Sequence, residues 1–427
     1  MTQYRALTGK AKQAADADAT RYKIYEGSVR AGKTVGSLME WLQYALTGPE
    51  GTLLIAGRTQ RTVEQNIVDP LTEMVGQRYC KLNRGTGVLD LFGRRCVVVG
   101  ASNELARMKI QGLTLAGALV DEVGTVPESF FTMLLSRLSV PGARLWATCN
   151  PEGPRHWLKV KFLDRAAAHI DGAGVLHVST DDDPVDLLRV TFHLDDNAHN
   201  LPADYVAGLK NTYRGLWYQR YIEGRWVAAE GAIYDVWDPA EHVIPHDDLP
   251  VMARMLAAGV DHGMSNASAA VLIGLGTDGR LYVVDEWRTT NTQGVAGMTV
   301  EEQAQSLRAW LAGYPPPEWV IVDPAAAAMR TALWRQGQTN TIDADNSVTY
   351  GLGVVSSLLA TGRLRVSDRC RWLQEEFPSY VWDPKATEKG EDKPKKANDH
   401  QLDALRYGIT TTESLWRPIL DQAREAA

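Results

Sequence analysis

One run of eight residues constrains this chain more than any other. Gly27-Ser28-Val29-Arg30-Ala31-Gly32-Lys33-Thr34 fits G-x-x-x-x-G-K-[ST] without a substitution. Its flanks fit as well. Tyr22 to Glu26 reads as a short strand, and Thr34 to Thr47 reads as a helix with apolar positions at Val35, Leu38, Leu42 and Ala45. A glycine-rich turn between strand and helix aims backbone N–H groups and the positive helix end at a phosphate chain. In that setting Lys33 reaches the β- and γ-phosphates and the Thr34 hydroxyl holds Mg²⁺. The sequence therefore predicts a nucleoside triphosphate site.

The parts that such a site needs follow in order. Thr52 to Ala56 reads as a buried strand, Thr59 to Gln77 as a helix and Cys96 to Gly100 as another strand. Leu115 to Val120 is an apolar strand running into Asp121 and Glu122. There Asp121 would position Mg²⁺ and Glu122 would polarise the attacking water. Arg144 to Thr148 is a further strand ending in Cys149-Asn150-Pro151. Thr148 and Asn150 then lie at the carboxyl end of a strand, where ligands bind in α/β sheets and a γ-phosphate can be sensed. Arg30, inside the loop, is a candidate to stabilise transition-state charge; Arg58, at the end of the next strand, competes with it, and a surface ion pair is the plainer reading of Arg30. The alternation of strands and helices over residues 22–180 predicts a mostly parallel sheet covered on both faces.

Composition narrows the setting. At 427 residues the chain is long enough for two or three cores, with 44% hydrophobic and 23% charged residues. A net charge of −7, from 45 basic and 52 acidic residues, excludes a basic nucleic-acid coat but not a local DNA groove. Cys80, Cys96, Cys149 and Cys370 form no C-x-x-C pair, which fits a reducing cytosol without a zinc cluster. Met1 to Arg21 is polar and mixed in charge, unlike a signal peptide, and no apolar run approaches a membrane span. The thirteen tryptophans show no repeat period and read as core and interface residues.

Beyond residue 228 the rhythm changes. A stretch with Pro239, Pro245 and Pro250 divides a P-loop domain at 1–227 from a second domain at 254–427, with a linker at 228–253. From Met255 the pattern reads strand, strand, a Thr277-Asp278-Gly279 turn and a third strand. A helix follows with Thr299 and Glu302 as capping box, and then helices and strands alternate. That order is the order of an RNase H-like fold. Asp261 and Asp323 end strands and Asp403 lies on a late helix, so the three can converge on two Mg²⁺ or Mn²⁺ ions for in-line attack on a phosphodiester. His400 and Asp399 share that helix face with Asp403, and Asp285 and Glu286 are reserve ligands. His400 reads either as ligand or proton shuttle, or as a local helix-start hydrogen bond. Lys385, Lys389, Lys393, Lys395 and Lys396 lie on an expected exposed loop, where a solvated surface is the plainer reading and DNA backbone contact the sharper one.

Taken together these residues resemble the large terminase subunit of tailed bacteriophages, over about Tyr22 to Tyr407. The resemblance rests on Glu26 to Thr34, Ile110 to Thr114, Leu119 to Glu122, Ala147 to Pro151, Tyr218 to Trp226, Gly259 to Gly263, Val322 to Pro324 and His400 to Tyr407, in that order. It implies an ATPase of the ASCE type, with Gly27, Ser28, Val29, Arg30, Ala31, Gly32, Lys33, Thr34 and Asp121 around ATP and Mg²⁺. It also implies Glu122 as hydrolytic base, Thr148 to Asn150 as coupling motif, and Asp261, Asp323 and Asp403 as a two-metal nuclease triad. The implied activity is ATP-driven translocation of double-stranded DNA into a procapsid, with endonucleolytic cleavage of concatemeric DNA. Implied partners are the portal protein and a small terminase subunit. The chain would be a monomer in solution and a ring on the procapsid, in the host cytoplasm and away from membranes. The alternative is a cellular P-loop ATPase–nuclease of recombination or repair, in which helicase motifs of a second RecA-like domain should follow residue 150; none is evident.

Overall fold

The computed structural model describes residues 6–17, 20–263, 268–289, 298–397 and 399–425. Of the polar Met1–Arg21 stretch, residues 1–5 and 18–19 lie outside the described residues. The chain divides into two compact units. One holds Met1–Lys210, Leu216–Ala228 and Glu388–Glu391; the other holds Asn211–Gly215, Ala229–Thr387 and Asp392–Ala427.

In the first unit, strands run as β1 (Tyr22–Gly27), β2 (Thr52–Gly57), β3 (Cys80–Asn83), β4 (Val88–Leu91), β5 (Arg94–Gly100), β6 (Leu115–Val120), β7 (Arg144–Cys149), β8 (Ala166–Ile170), β9 (Leu176–Val178) and β10 (Val185–Phe192). Among the described residues they form one sheet in the order β3-β4-β5-β2-β6-β7-β1-β10-β8-β9. From β5 to β8 every pairing is parallel. Antiparallel hairpins, which the strand–helix alternation did not reveal, finish both edges. β6 is apolar throughout because both faces are covered. Ala118 and Val120 join a core with Phe130, Phe131 and Leu134, while Ala116 and Leu119 join a second core with Trp41, Tyr44 and Trp146.

The helix expected over Thr59 to Gln77 is interrupted. Helical turns at Gln60–Val63 and Asp69–Val75 flank a π turn at Glu64–Val68. Pro70 has no N–H to give to the carbonyl four residues back, so the wider turn absorbs the break. Asn66 sits in that turn.

The second unit is built on β11 (Val243–Ile244), β12 (Met252–Asp261), β13 (Ala269–Gly276), β14 (Leu281–Arg288), β15 (Trp319–Val322), β16 (Thr341–Asp343) and β17 (Leu364–Ser367). Their order is β11-β17-β14-β13-β12-β15-β16. β12, β13 and β14 form an antiparallel meander, and β15 and β16 continue in parallel from β12. Numbered within this unit's core sheet the order is 3-2-1-4-5, the RNase H-like arrangement. The Asp278-Gly279 turn joins β13 to β14, with Gly279 at a φ of 75°. The capping box on helix Val300–Leu311 is present: Glu302 N donates to Thr299 Oγ1 at 3.2 Å and Thr299 N to Glu302 Oε2 at 2.8 Å. One face of the sheet packs Ala258, Val260, Ala270 and Leu272 against Ala304, Leu307 and Met329. On the other, helix His400–Thr411 lies against β12 and β13. A Cβ on Gly259 would overlap the Ala404 carbonyl oxygen, and one on Gly408 would overlap Ile273. Two glycines thus let helix and strand approach main chain to main chain.

Candidate active sites

The phosphate-loop residues are placed by β1 and the helix Lys33–Thr47. Gly27 ends β1 at a φ of 125°, and a Cβ there would overlap the Phe192 carbonyl oxygen. Gly32, at a φ of 87°, opens the helix. Ser28 N donates to Phe192 O and Val29 N to Tyr221 O, both at 2.9 Å, and Ser28 Oγ donates to Ile222 O at 2.7 Å. The segment Tyr218 to Trp226 therefore lies along the loop, and Trp226 Nε1 also donates to Glu26 Oε2 at 2.5 Å. Ala31 is buried; Val29 and Thr34 are half-buried.

Lys33 is buried, and its amine donates to Gly27 O at 3.0 Å, Ser28 O at 2.6 Å and Asn150 Oδ1 at 2.9 Å. Burial pulls its pKa down to about 8, against the opposing pull of Cys149, Glu122, Glu26 and Asp121. Asp121 follows β6 and accepts Thr148 Oγ1 at 2.9 Å on one oxygen and Asn66 Nδ2 at 3.1 Å on the other. Glu122 N donates to Thr148 Oγ1 at 3.2 Å. Burial raises the pKa of both acids; Asp121 pushes Glu122 up further, while Lys33 and Arg58 pull it back. The pair Lys33–Asn150 and the set Thr148–Asp121–Glu122 thus lie side by side at the ends of β6 and β7, coupled by the charges of Asp121 and Glu122 on Lys33.

Arg30 and Glu122 hold left-handed backbone, at φ values of 56° and 47°. Such conformations cost about 1–3 kcal/mol in non-glycine residues and gather at functional sites. Asn197 Nδ2 donates to the Arg30 carbonyl at 2.7 Å, while the Arg30 side chain is exposed. The guanidinium whose charge reaches Glu122 is that of Arg58. Asn66 was missed by sequence reasoning; a proline inside a helical pattern four residues later was its only signal.

In the second unit Asp261 ends β12, Asp323 follows β15, and His400 and Asp403 lie in the first turns of the helix His400–Thr411. His400 Nδ1 is 2.8 Å from Asp261 Oδ2, a contact that raises the His400 pKa. Burial raises the Asp261 pKa, with the charges of Asp403 and Asp323 adding to the rise. The three carboxylates are therefore close enough to feel one another. Tyr407 OH donates to Asp323 Oδ2 at 3.0 Å and Ala325 N to Asp323 Oδ1 at 2.9 Å. Asp403 Oδ1 pairs with Arg406 Nη2 at 2.8 Å, and Oδ2 with Lys396 Nζ at 3.2 Å.

With these partners in place, no three His, Cys, Asp or Glu side chains among the described residues stand as a ready metal cage. The donor set still suits a hard divalent ion, being carboxylate oxygens from separate elements. Asp399 strengthens the fit: its Oδ2 is buried and, among the described residues, accepts no hydrogen bond. Asp285 and Glu286, the reserve ligands, are engaged elsewhere. Successive residues of β14 point to opposite faces, so Asp285 accepts Trp310 Nε1 at 3.0 Å and the Tyr314 hydroxyl. Glu286 instead caps helix Arg371–Ser379, accepting Trp372 N at 2.8 Å and Leu373 N at 3.0 Å. Glu376 of that helix repeats the device. It accepts Gln401 N at 2.8 Å and Leu402 N at 3.1 Å, and pairs with Arg288 at 3.0 Å. Burial lifts both glutamates to about 7.

Among the described residues no helix is long and apolar enough to cross a membrane. The profile of the phage terminase large subunit matches residues 19–224. No curated protein matches the chain. Among solved structures, the large terminase of a thermophilic bacteriophage in complex with ADP superposes with a TM-score of 0.83 at 33% identity, covering 95% of this chain and 99% of that one. The same terminase in complex with ATP-gamma-S gives 0.80 at 34% identity, covering 93% and 97%. Similarity of that degree, over nearly the full length of both chains, makes this chain a member of the phage terminase large subunit family.

Proposed function

We propose that the chain is an ATP-driven motor that moves double-stranded DNA into a procapsid and cuts concatemeric DNA with a divalent-metal nuclease. The observation that carries this reading is the pair Lys33–Asn150 beside the set Thr148–Asp121–Glu122, at a loop shaped for phosphate. That the terminase of the thermophilic phage is seen in complex with ADP and with ATP-gamma-S supports a nucleotide as ligand of this chain.

On this reading Gly27 to Thr34 wraps the triphosphate, and Lys33 turns from Asn150 to the β- and γ-phosphates. Thr34 and Asp121 hold the nucleotide's Mg²⁺. Glu122, its pKa raised by burial and by Asp121, accepts the proton of the attacking water. Arg30 supplies positive charge to the γ-phosphate from within the loop. Thr148 and Asn150 report the nucleotide's state, because each bonds a group that touches it.

In the second unit Asp261, Asp323 and Asp403 hold Mg²⁺ or Mn²⁺, with His400 at the rim on Asp261 Oδ2. Two bound ions would supply an activated water and a stabilised leaving oxygen. The P-loop ATPase domain is taken as 1–227 and the nuclease domain as the second unit; residues 229–253, expected as a linker, belong to that unit, where Val243–Ile244 pairs with β17. Ring assembly on the portal and work with a small terminase subunit, in the host cytoplasm, complete the proposal.

Separation of the two activities tests the reading. Lys33→Ala should abolish ATP hydrolysis and leave plasmid nicking with Mn²⁺ intact. Asp403→Ala should do the reverse. A full chain that neither binds Mn²⁺ nor nicks plasmid would remove the nuclease half.

A further inference from the structure

We propose that Lys396 is a tethered cation that competes with a divalent ion for Asp403 and Asp399, and so sets the metal threshold of the nuclease. This inference rests on the nuclease reading above.

Both oxygens of Asp403 are matched by side-chain cations, Arg406 on Oδ1 at 2.8 Å and Lys396 on Oδ2 at 3.2 Å. The two cations differ in freedom. Arg406 lies three residues along the same helix and is 2% exposed. It also bonds Asn346 at 3.3 Å, and its stem packs so tightly on Gly351 that a Cβ there would overlap it. It is a fixed part of the helix. Lys396 is 76% exposed, on the stretch that leads into the helix. Its amine is the one that can leave.

What it leaves behind is anionic and poorly bonded. Asp399 Oδ2 is buried without a hydrogen bond among the described residues, and the amine of Lys396 faces it at 3.5 Å. A buried carboxylate oxygen in that state is costly unless a cation or donor reaches it. Asp261 and Asp323 add negative charge beside Asp403. One exposed ammonium therefore sits between two carboxylates that an incoming ion would need. Exposed ion pairs of this kind are worth a factor of about two to five, so the amine yields to a divalent ion but lowers its apparent affinity. The neighbouring Lys395 makes no ion pair with either carboxylate among the described residues.

The test is Mn²⁺ titration of the full chain by calorimetry at fixed ionic strength, for the natural chain, Lys396→Met and Lys395→Met. Lys396→Met should bind Mn²⁺ about three- to tenfold more tightly, since a neighbouring positive charge is gone as well as the pair. The Mn²⁺ concentration for half-maximal nicking should fall by the same factor. Lys395→Met should stay within about twofold of the natural chain. Equal affinity in Lys396→Met and the natural chain overturns the inference and leaves the nuclease reading standing. Equal tightening by Lys395→Met overturns it too, because general loop charge would then be the cause. Absence of Mn²⁺ binding in all three chains overturns the metal-site reading, and the inference with it.

Discussion

Lys33 Nζ lies 2.9 Å from Asn150 Oδ1, so the amine of the phosphate loop is held by the residue that follows β7. The adjoining strand residue Thr148 touches both Asp121 and Glu122. Loop and strand ends are therefore coupled through one stretch of chain, Thr148 to Asn150, and through the charges of Asp121 and Glu122 on Lys33, so a phosphate that draws Lys33 away acts on both acids.

Asn150→Ala separates holding from sensing. Removal of an acceptor that competes for Lys33 should raise ATP-gamma-S affinity by about two- to twelvefold, given a net hydrogen-bond worth of about 0.5–1.5 kcal/mol. Turnover of ATP should fall by about tenfold or more. Calorimetric binding and steady-state hydrolysis check the two halves; weaker binding with unchanged turnover would count against this role.

Lys33 gives nucleotide binding a pH signature. Burial brings its pKa down to about 8 from an ordinary 10.5, so between those values the unfolded chain carries more protons than the folded one. This group's contribution to stability accordingly rises with pH across that window. A phosphate favours the ammonium, so nucleotide binding should take up roughly half a proton at pH 8 and almost none at pH 6.5. Binding heats at pH 8 in buffers of different ionisation enthalpy measure the uptake. Heats independent of buffer would contradict it.

Arg220 holds the segment that lies on the phosphate loop. It is fully buried and donates to Val227 O from Nε at 3.1 Å and from Nη2 at 2.6 Å. Its Nη1 is 3.7 Å from Glu152, two residues past Asn150. Arg220→Ala should lower the melting temperature of the first unit, with a loss of about 3–5 kcal/mol. ATP affinity should fall with it, because Tyr221 and Ile222 would no longer steady Val29 and Ser28. Arg220→Lys, keeping the charge and most of the stem, should recover part of both; equal loss in the two variants would point to the two-pronged guanidinium bond to Val227 O alone.

Glu376 acts on the nuclease site from a distance. Its carboxylate receives the first amides of the helix that carries His400 and Asp403. Glu376→Ala leaves those amides and Arg288 unpaired, with an expected loss of about 2–4 kcal/mol. Nicking with Mn²⁺ should drop at least tenfold while ATP hydrolysis is unchanged. Parallel assays of the two activities decide it, and a proportional loss of both would indicate general unfolding.

Much of this was legible because function writes itself into spacing. The loop Gly27–Thr34, the acids after β6 and the strand-end acids at 261 and 323 are read from local patterns, and each strand and helix beside them follows from periodicity. The hairpin at Asp278-Gly279 and the box Thr299–Glu302 are similarly local. What stayed hidden is contact across the sequence. Pro70 hints at a break in the helix, but nothing near Asn66 says that the resulting π turn carries it to Asp121. Glu286 looks like a ligand until the pleat of β14 turns it onto a helix end. Lys396 reads as one of five loop lysines, and only its approach to Asp403 distinguishes it.

The seam of Gly259 against Ala404 and Gly408 carries a consequence for stiffness. Asp261 and Asp403 are mounted on two pieces of backbone already in contact, so strand and helix cannot draw closer there and part only if the helix lifts as a whole. A side chain at 259 or 408 would wedge the two apart, so the common base of the two carboxylates is kept by residues that have none.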